Sequence, residues 1–153
     1  MIVLVMSDSH GNADGMVRVV ELEKPDLILH LGDKTRDCHA LQRAFPDIPL
    51  RKVVGNCDFS SEGQTIDDFT FSGTRFFMTH GHIFHVKSTL AHLTEMAKFR
   101  ESDIVLFGHT HIQHHEIESD FIILNPGSMS KSQEHYAVIH MTDGNITCDL
   151  KKL

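Results

Sequence analysis

The sequence predicts an α/β fold built on two sheets, and three observations carry that prediction. Strand and helix patterns alternate through the first half. Strand patterns dominate the second half. Most of the buried-looking runs end abruptly in a small polar motif. At 153 residues, 41% hydrophobic and 23% charged, the chain has the size and composition expected of one globular domain over residues 1–153.

Ile2-Val3-Leu4-Val5-Met6 is short, mostly β-branched and ended by Ser-Asp-Ser, so it reads as a buried strand. Met16, Val19 and Val20 then give residues 13–23 an apolar helix face. Leu27–Leu31 reads as a second buried strand, closed by Gly32-Asp33, with His30 inside the sheet. Cys38, Leu41 and Phe45 suggest a short helix stopped at Pro46. Residues 50–54 form a third strand, closed by Gly55-Asn56. This β-α-β-α-β order implies parallel strands with right-handed crossovers. Strands at 65–71 and 74–79 flank a hairpin turn at Ser72-Gly73, and Ser88 reads as the N-cap of a helix through Phe99. Residues 103–107 are another buried strand, followed by strand patterns at 112–118, 121–124, 136–141 and 145–150, with a hairpin at Asp143-Gly144.

Composition narrows the function. A formal charge of −7 argues against a general nucleic-acid groove, which needs clustered Lys and Arg. The longest early apolar run is too short to span a membrane and has no signal-peptide flank. Three cysteines without a C-x-x-C pair favour reduced thiols, so a cytoplasmic location is expected. The anomaly is 13 histidines in an acidic chain without tryptophan, which directs attention to metal ligation.

Five polar motifs each follow a strand-like run: Asp8-Ser9-His10-Gly11, Gly32-Asp33, Gly55-Asn56-Cys57-Asp58, His80-Gly81-His82 and Gly108-His109-Thr110-His111. Strand carboxyl ends are where open α/β sheets bind ligands. Imidazoles mixed with carboxylate and amide oxygens suit Mn²⁺, Fe²⁺, Zn²⁺, Ni²⁺ or Co²⁺ better than Mg²⁺ or Ca²⁺. On extended chain, Asp8-x-His10 and His109-x-His111 would each project two ligands to one side, roughly 6–7 Å apart. Asp33 is a natural bridging carboxylate. A single Asp or His at a strand end is usually a turn former, but seven suitable ligands at five strand ends reverse those odds.

The D-x-H, G-D, G-N, H-G-H and G-H-T-H motifs, in this order, resemble the calcineurin-like metallophosphoesterase superfamily. The short length and the Gly-Asn-Cys-Asp variant resemble its small YfcE-like phosphodiesterase branch. The likeness extends to Asn125-Pro126-Gly127-Ser128. It implies a four-layer α-β-β-α sandwich: two mixed sheets, helices outside, metals at the rim. It assigns Asp8, His10, Asp33 and His111 to a first divalent ion, and Asp33, Asn56, His80 and His109 to a second. Mn²⁺ is the expected metal of this dinuclear centre. Asn56, His80 and Asp33 are expected to be the catalytic residues. The expected reaction is attack on phosphorus by a hydroxide bridging the metals, making the chain a hydrolase of small phosphodiesters. A phosphomonoesterase is the near alternative. A non-catalytic scaffold like the retromer subunit of this fold is a different class of answer, and a homo-oligomer is compatible with the sequence.

Two positions depart from the family pattern. Cys57 stands where many members carry a histidine able to protonate the leaving group, and a thiol is a poorer general acid near neutral pH. Lys131-Ser132-Gln133 stands where the branch often has a Pro-Arg pair. His82 is the candidate substitute acid. Asp58 reads either as a support for a ligand or as a turn residue, Asp67-Asp68 as an exposed strand entry, His114 and His115 as solvated, and the Met and Phe residues as core.

Overall fold

A computed structural model describes residues 1–59, 63–118 and 120–153. Its first half is β1 (Ile2–Met6), α1 (Ala13–Glu23), β2 (Leu27–His30), α2 (Cys38–Ala44) and β3 (Leu50–Lys52). The second half runs β4 (Ile66–Phe71), β5 (Thr74–Thr79), α3 (Ala91–Phe99), β6 (Ile104–Leu106), β7 (Gln113–Ile117), β8 (Ile122–Pro126), β9 (His135–Thr142) and β10 (Asn145–Lys152). Sheet one has the order β10-β9-β1-β2-β3, with β1, β2 and β3 parallel. Sheet two has the order β4-β5-β6-β8-β7, with β5, β6 and β8 parallel and antiparallel strands at both edges.

Strand alternation makes the layers. On β1, Val3 and Val5 face sheet two while Leu4 and Met6 face the helices α1 and α2. On β5, Phe76 and Met78 point inward, and Phe77 points outward into a cluster with Leu93 and Ala97 of α3. Three separate apolar clusters result: one between the sheets and one under the helices on each outer face. This is the four-layer sandwich expected from the motifs. Both hairpins form as the turn residues dictate, with positive φ at Ser72 and Gly73 and at Asp143 and Gly144.

Several local expectations fail for identifiable reasons. Ser88 does not cap α3: its N–H bonds back to His85, and the helix begins three residues later, at Ala91. Strand β3 stops at Lys52 because the chain turns away, with Val54 donating to Gln64. Asp67 is buried rather than exposed, held by both arms of Arg51 at 2.7 and 2.9 Å, while the guanidinium also covers the Phe69 ring. Phe59 and Phe99 lie on the surface, not in the core. His114 is half-buried, against the Phe107 ring, whereas His115 is exposed as expected. No helix among the described residues is long and apolar enough to cross a membrane.

Candidate metal centre

Parallel pairing puts the carboxyl ends of β1, β2 and β3 at one rim, and the loops after β5 and β6 close over it. The junction is direct: the His109 N–H donates to Asp8 Oδ2 at 3.1 Å, and Gly108 N–H donates to the His80 carbonyl at 3.0 Å. Gly108 is required at this crossing, since a Cβ there would meet the Ser7 hydroxyl and lie 2.8 Å from Asp8 Oδ2.

Asp8 is fully buried, and its two oxygens have different work. Oδ2 receives the Ser7 hydroxyl and the His109 N–H. Oδ1 faces the rings, 3.0 Å from His111 Nε2, 3.9 Å from His10 Nε2 and 3.9 Å from His80 Nε2. The His10 and His111 Nε2 atoms are themselves 3.4 Å apart. On the other side, His80 Nε2 lies 3.1 Å from Asn56 Oδ1 and 3.5 Å from Asp33 Oδ1. His80 Nδ1 donates to the Leu31 carbonyl at 2.8 Å, which fixes the tautomer and leaves the Nε2 lone pair facing the cluster. His109 stands beside the cluster, with its ring centroid 5.0 Å from that of His80, and is in neither of the two groups of converging donors.

These donors form two groups, Asp8-His10-His111 and Asp8-Asp33-His80, with ligand atoms inside each group within 4.8 Å of one another. Such a donor set fits divalent transition metals: buried carboxylate oxygens and imidazole nitrogens with lone pairs aimed at common points. Asp8 is the residue common to both groups, whereas the resemblance gives the bridging position to Asp33. Burial pushes His109 down to about 4, helped by the charges of His80 and Lys87, so its ring is neutral at physiological pH, the form that binds metal. His82, whose ring is 6.2 Å from His109, is also lowered, by burial first and His80 second.

The D-x-H and H-x-H pairs are not extended. Asp8, His10, Asp33, His109 and His111 all have positive φ, between 45° and 66°. Each such non-glycine residue costs about 1–2 kcal/mol, so the surrounding loops must over-determine the conformation. They do so with groups that do not face the cluster. Asp58 accepts N–H bonds from Asp33 (2.9 Å), Thr35 (2.9 Å) and Gly55 (2.8 Å), which settles its role as a support for the Asp33 loop. Asp37 accepts from the Ser9 hydroxyl (2.7 Å) and the Gly11 N–H (2.8 Å). Behind Ser9 sits fully buried His30, lowered to about 4 chiefly by burial. Its Nδ1 accepts from Gly32 and its Nε2 donates to the Ser9 hydroxyl. Asn125 binds the Gly108 carbonyl and the Thr110 hydroxyl, and the Ser128 hydroxyl donates to the Asp8 carbonyl. Ser7 and Asp37 were not identifiable from sequence, since neither spacing nor residue type distinguishes them from ordinary turn polars.

Cys57 is half-buried. Its N–H donates to Asp33 Oδ1 at 2.9 Å, and its thiol is raised by burial and then by Asp33, so it is no ready nucleophile.

A two-sheet sandwich with this rim of carboxylates and imidazoles has the donor set of a divalent-metal-binding protein. Comparison with known proteins agrees. The model of the calcineurin-like phosphoesterase superfamily domain matches residues 1–144, and the chain belongs to that family. A probable metallophosphoesterase of Bacillus subtilis, YsnB, is 30% identical over 96% of this chain and 88% of its own. Phosphodiesterase YfcE of Escherichia coli is 28% identical over 85% of this chain and 80% of its own. The structure of a predicted phosphoesterase from Streptococcus pneumoniae superposes with a TM-score of 0.81 at 27% identity, covering 99% of this chain and 88% of that one. Vps29 of Entamoeba histolytica, solved with zinc, shares the fold at a TM-score of 0.74 and 17% identity, covering 99% and 98% of the two chains.

Proposed function

We propose that the chain is a two-metal phosphodiesterase acting on small phosphate esters. The observation that carries this reading is the pair of adjoining donor groups, Asp8-His10-His111 and Asp8-Asp33-His80, each with its ligand atoms within 4.8 Å of one another. In this reading Asp8, His10, Asp33 and His111 hold one divalent ion, and Asp33, Asn56, His80 and His109 hold the other, with Mn²⁺ the first candidate. Bound there, the pair of cations would acidify a water for in-line attack and neutralise charge building on the phosphoryl oxygens.

The chain's own residues supply the rest. Asp8 and Asp33 provide buried negative charge that balances the cations. Asn56 turns Oδ1 to His80 and keeps an amide nitrogen able to donate to a phosphate oxygen. A rim with no histidine after Asn56 suits esters whose leaving group departs without a proton. Net charge of −7 favours small substrates over nucleic-acid polymers. The scaffold reading finds less support, because all seven positions keep residues able to coordinate.

The test is turnover of bis-p-nitrophenyl phosphate against p-nitrophenyl phosphate with Mn²⁺, Ni²⁺ or Fe²⁺ supplied. The diester should be the better substrate, and Asp33→Ala should lower kcat/KM by about a thousandfold or more. Full activity in Asp33→Ala would show the site to be wrongly assigned, and no turnover of either ester would remove the enzyme reading.

A further inference from the structure

A cavity of about 500 Å³ opens beside the ligand loops of sheet two. Val86, Leu90, Phe107 and Ile112 give it apolar walls, with Lys87 and His114 at its edge. Its floor is continuous with the chain that carries the candidate ligands. Phe107 immediately precedes Gly108-His109, and Thr110, also lining the cavity, lies between His109 and His111. Val86 packs under Gly81, next to His80, so closely that a Cβ on Gly81 would lie 2.8 Å from Val86 Cγ2.

We propose that this cavity receives an aromatic substituent of the phosphate ester, with Lys87 at its rim pairing with the phosphate. The inference rests on the phosphoesterase reading and adds a substrate class to it. Four observations favour a ring as occupant. The volume is that of a small-ligand pocket, with mostly apolar walls and few polar groups. The half-buried His114 ring, backed by the buried Phe107 ring 6.0 Å away, gives one wall an aromatic surface. Ile112 is 69% exposed, a large apolar side chain that the core does not use, standing as a lip at the opening. Lys87 is the only Lys or Arg among the lining residues, so the edge of the cavity carries one positive charge.

Calorimetry on metal-loaded protein tests this with two non-hydrolysable probes, phenylphosphonate and methylphosphonate, which share the phosphoryl head and differ in the ring. Wild type should bind the phenyl compound about tenfold tighter or more, because only its ring has apolar surface to bury. The Leu90→Ser, Ile112→Ser double variant should lose that preference while its affinity for methylphosphonate changes less than about twofold. Serine is a favoured residue at the helix start that Leu90 occupies, and Ile112 is exposed, so the fold should tolerate both changes. Lys87→Ala should weaken both probes by a similar factor. Equal wild-type affinities, or a preference that survives the double variant, would overturn the cavity proposal and leave the metal-site reading standing. Binding of neither probe would overturn both.

Discussion

On the sheet-one side of the rim, the ligand loops are knotted by carboxylates and backbone donors that stand apart from the cluster. Asp58 gathers three N–H groups around the Asp33 loop, and Asp37 ties Ser9 to Gly11 around His10. On the sheet-two side, Asn125 and Asp8 tie the backbone around His109, but among the described residues only His80 has the far nitrogen of its ring clamped by a carbonyl. His82 and His109 lean on neighbouring rings, and the His111 side chain is 41% exposed. The oxygen half of the site is therefore built into the fold, whereas the imidazole half depends on what it binds. The His10 and His111 Nε2 atoms, 3.4 Å apart, share one hydrogen bond whose direction the tautomers set, with Asp8 Oδ1 3.0 Å from His111 Nε2.

Metal loading should expose this difference most strongly. Mn²⁺ at about a thousandfold above its Kd should stabilise the chain by about 4 kcal/mol, read as a shift in thermal or urea midpoint. Hydrogen exchange on chelation should speed mainly in the loops after β5 and β6 and stay slow around Asp33 and Gly55. Equal loss of protection on both sides would break the comparison. The next effect belongs to the built half. Asp58→Ala strands three backbone donors, and should cost about 2–4 kcal/mol and lower metal affinity about 10–100-fold. His82→Ala, with no hydrogen bond to lose among the described residues, should cost under about 1 kcal/mol.

A pH effect follows from His30. Its folded value of about 4 lies below the ordinary 6.5, so the unfolded chain takes up a proton that the folded chain refuses. The associated stability is present above about pH 6.5 and is lost as pH falls toward about 4. Between pH 7 and pH 5 this group should remove about 2 kcal/mol from the urea-unfolding free energy, and His30→Gln should flatten that part of the profile. An unchanged profile in the variant would show that the buried His30–Ser9–Asp37 chain does not set the acid limb.

The same comparison explains what could be seen in the sequence. Buried strands announce themselves by β-branched runs such as Ile2–Met6, and their parallel order puts every following motif at one rim. All seven candidate ligands were legible for that reason. The left-handed backbones of five of them, Asp8, His10, Asp33, His109 and His111, were not, because Asp and His carry no local signal for positive φ as firm as glycine's. The knots were equally hidden. Asp37 reaches Ser9 across 28 residues and Arg51 reaches Asp67 across 16, pairings that only the folded topology creates. Ser88 misled for the converse reason, since a good capping residue was overruled by the turns after His82–Phe84.

The smallest expected effect concerns Cys57, which lies where the two halves meet. Its backbone N–H, donated to Asp33, is independent of side-chain identity, while its thiol hydrogen-bonds to Asp33 and takes a weak 3.6 Å contact from Asn56 Nδ2. Cys57→His should thus preserve the oxygen half and add a proton donor beside the cluster. For esters with a poor leaving group, kcat should rise about tenfold, whereas turnover of p-nitrophenyl esters should change less than about twofold, because p-nitrophenolate leaves unprotonated. The readout is the dependence of kcat on leaving-group pKa across a series of aryl and alkyl methyl phosphates, which should flatten in the variant. Parallel lines for the two proteins would mean that the leaving group already receives its proton from elsewhere on the rim. His82, with a buried Nδ1 that has no partner among the described residues and a ring 5.5 Å from His80, would then be the next residue to change.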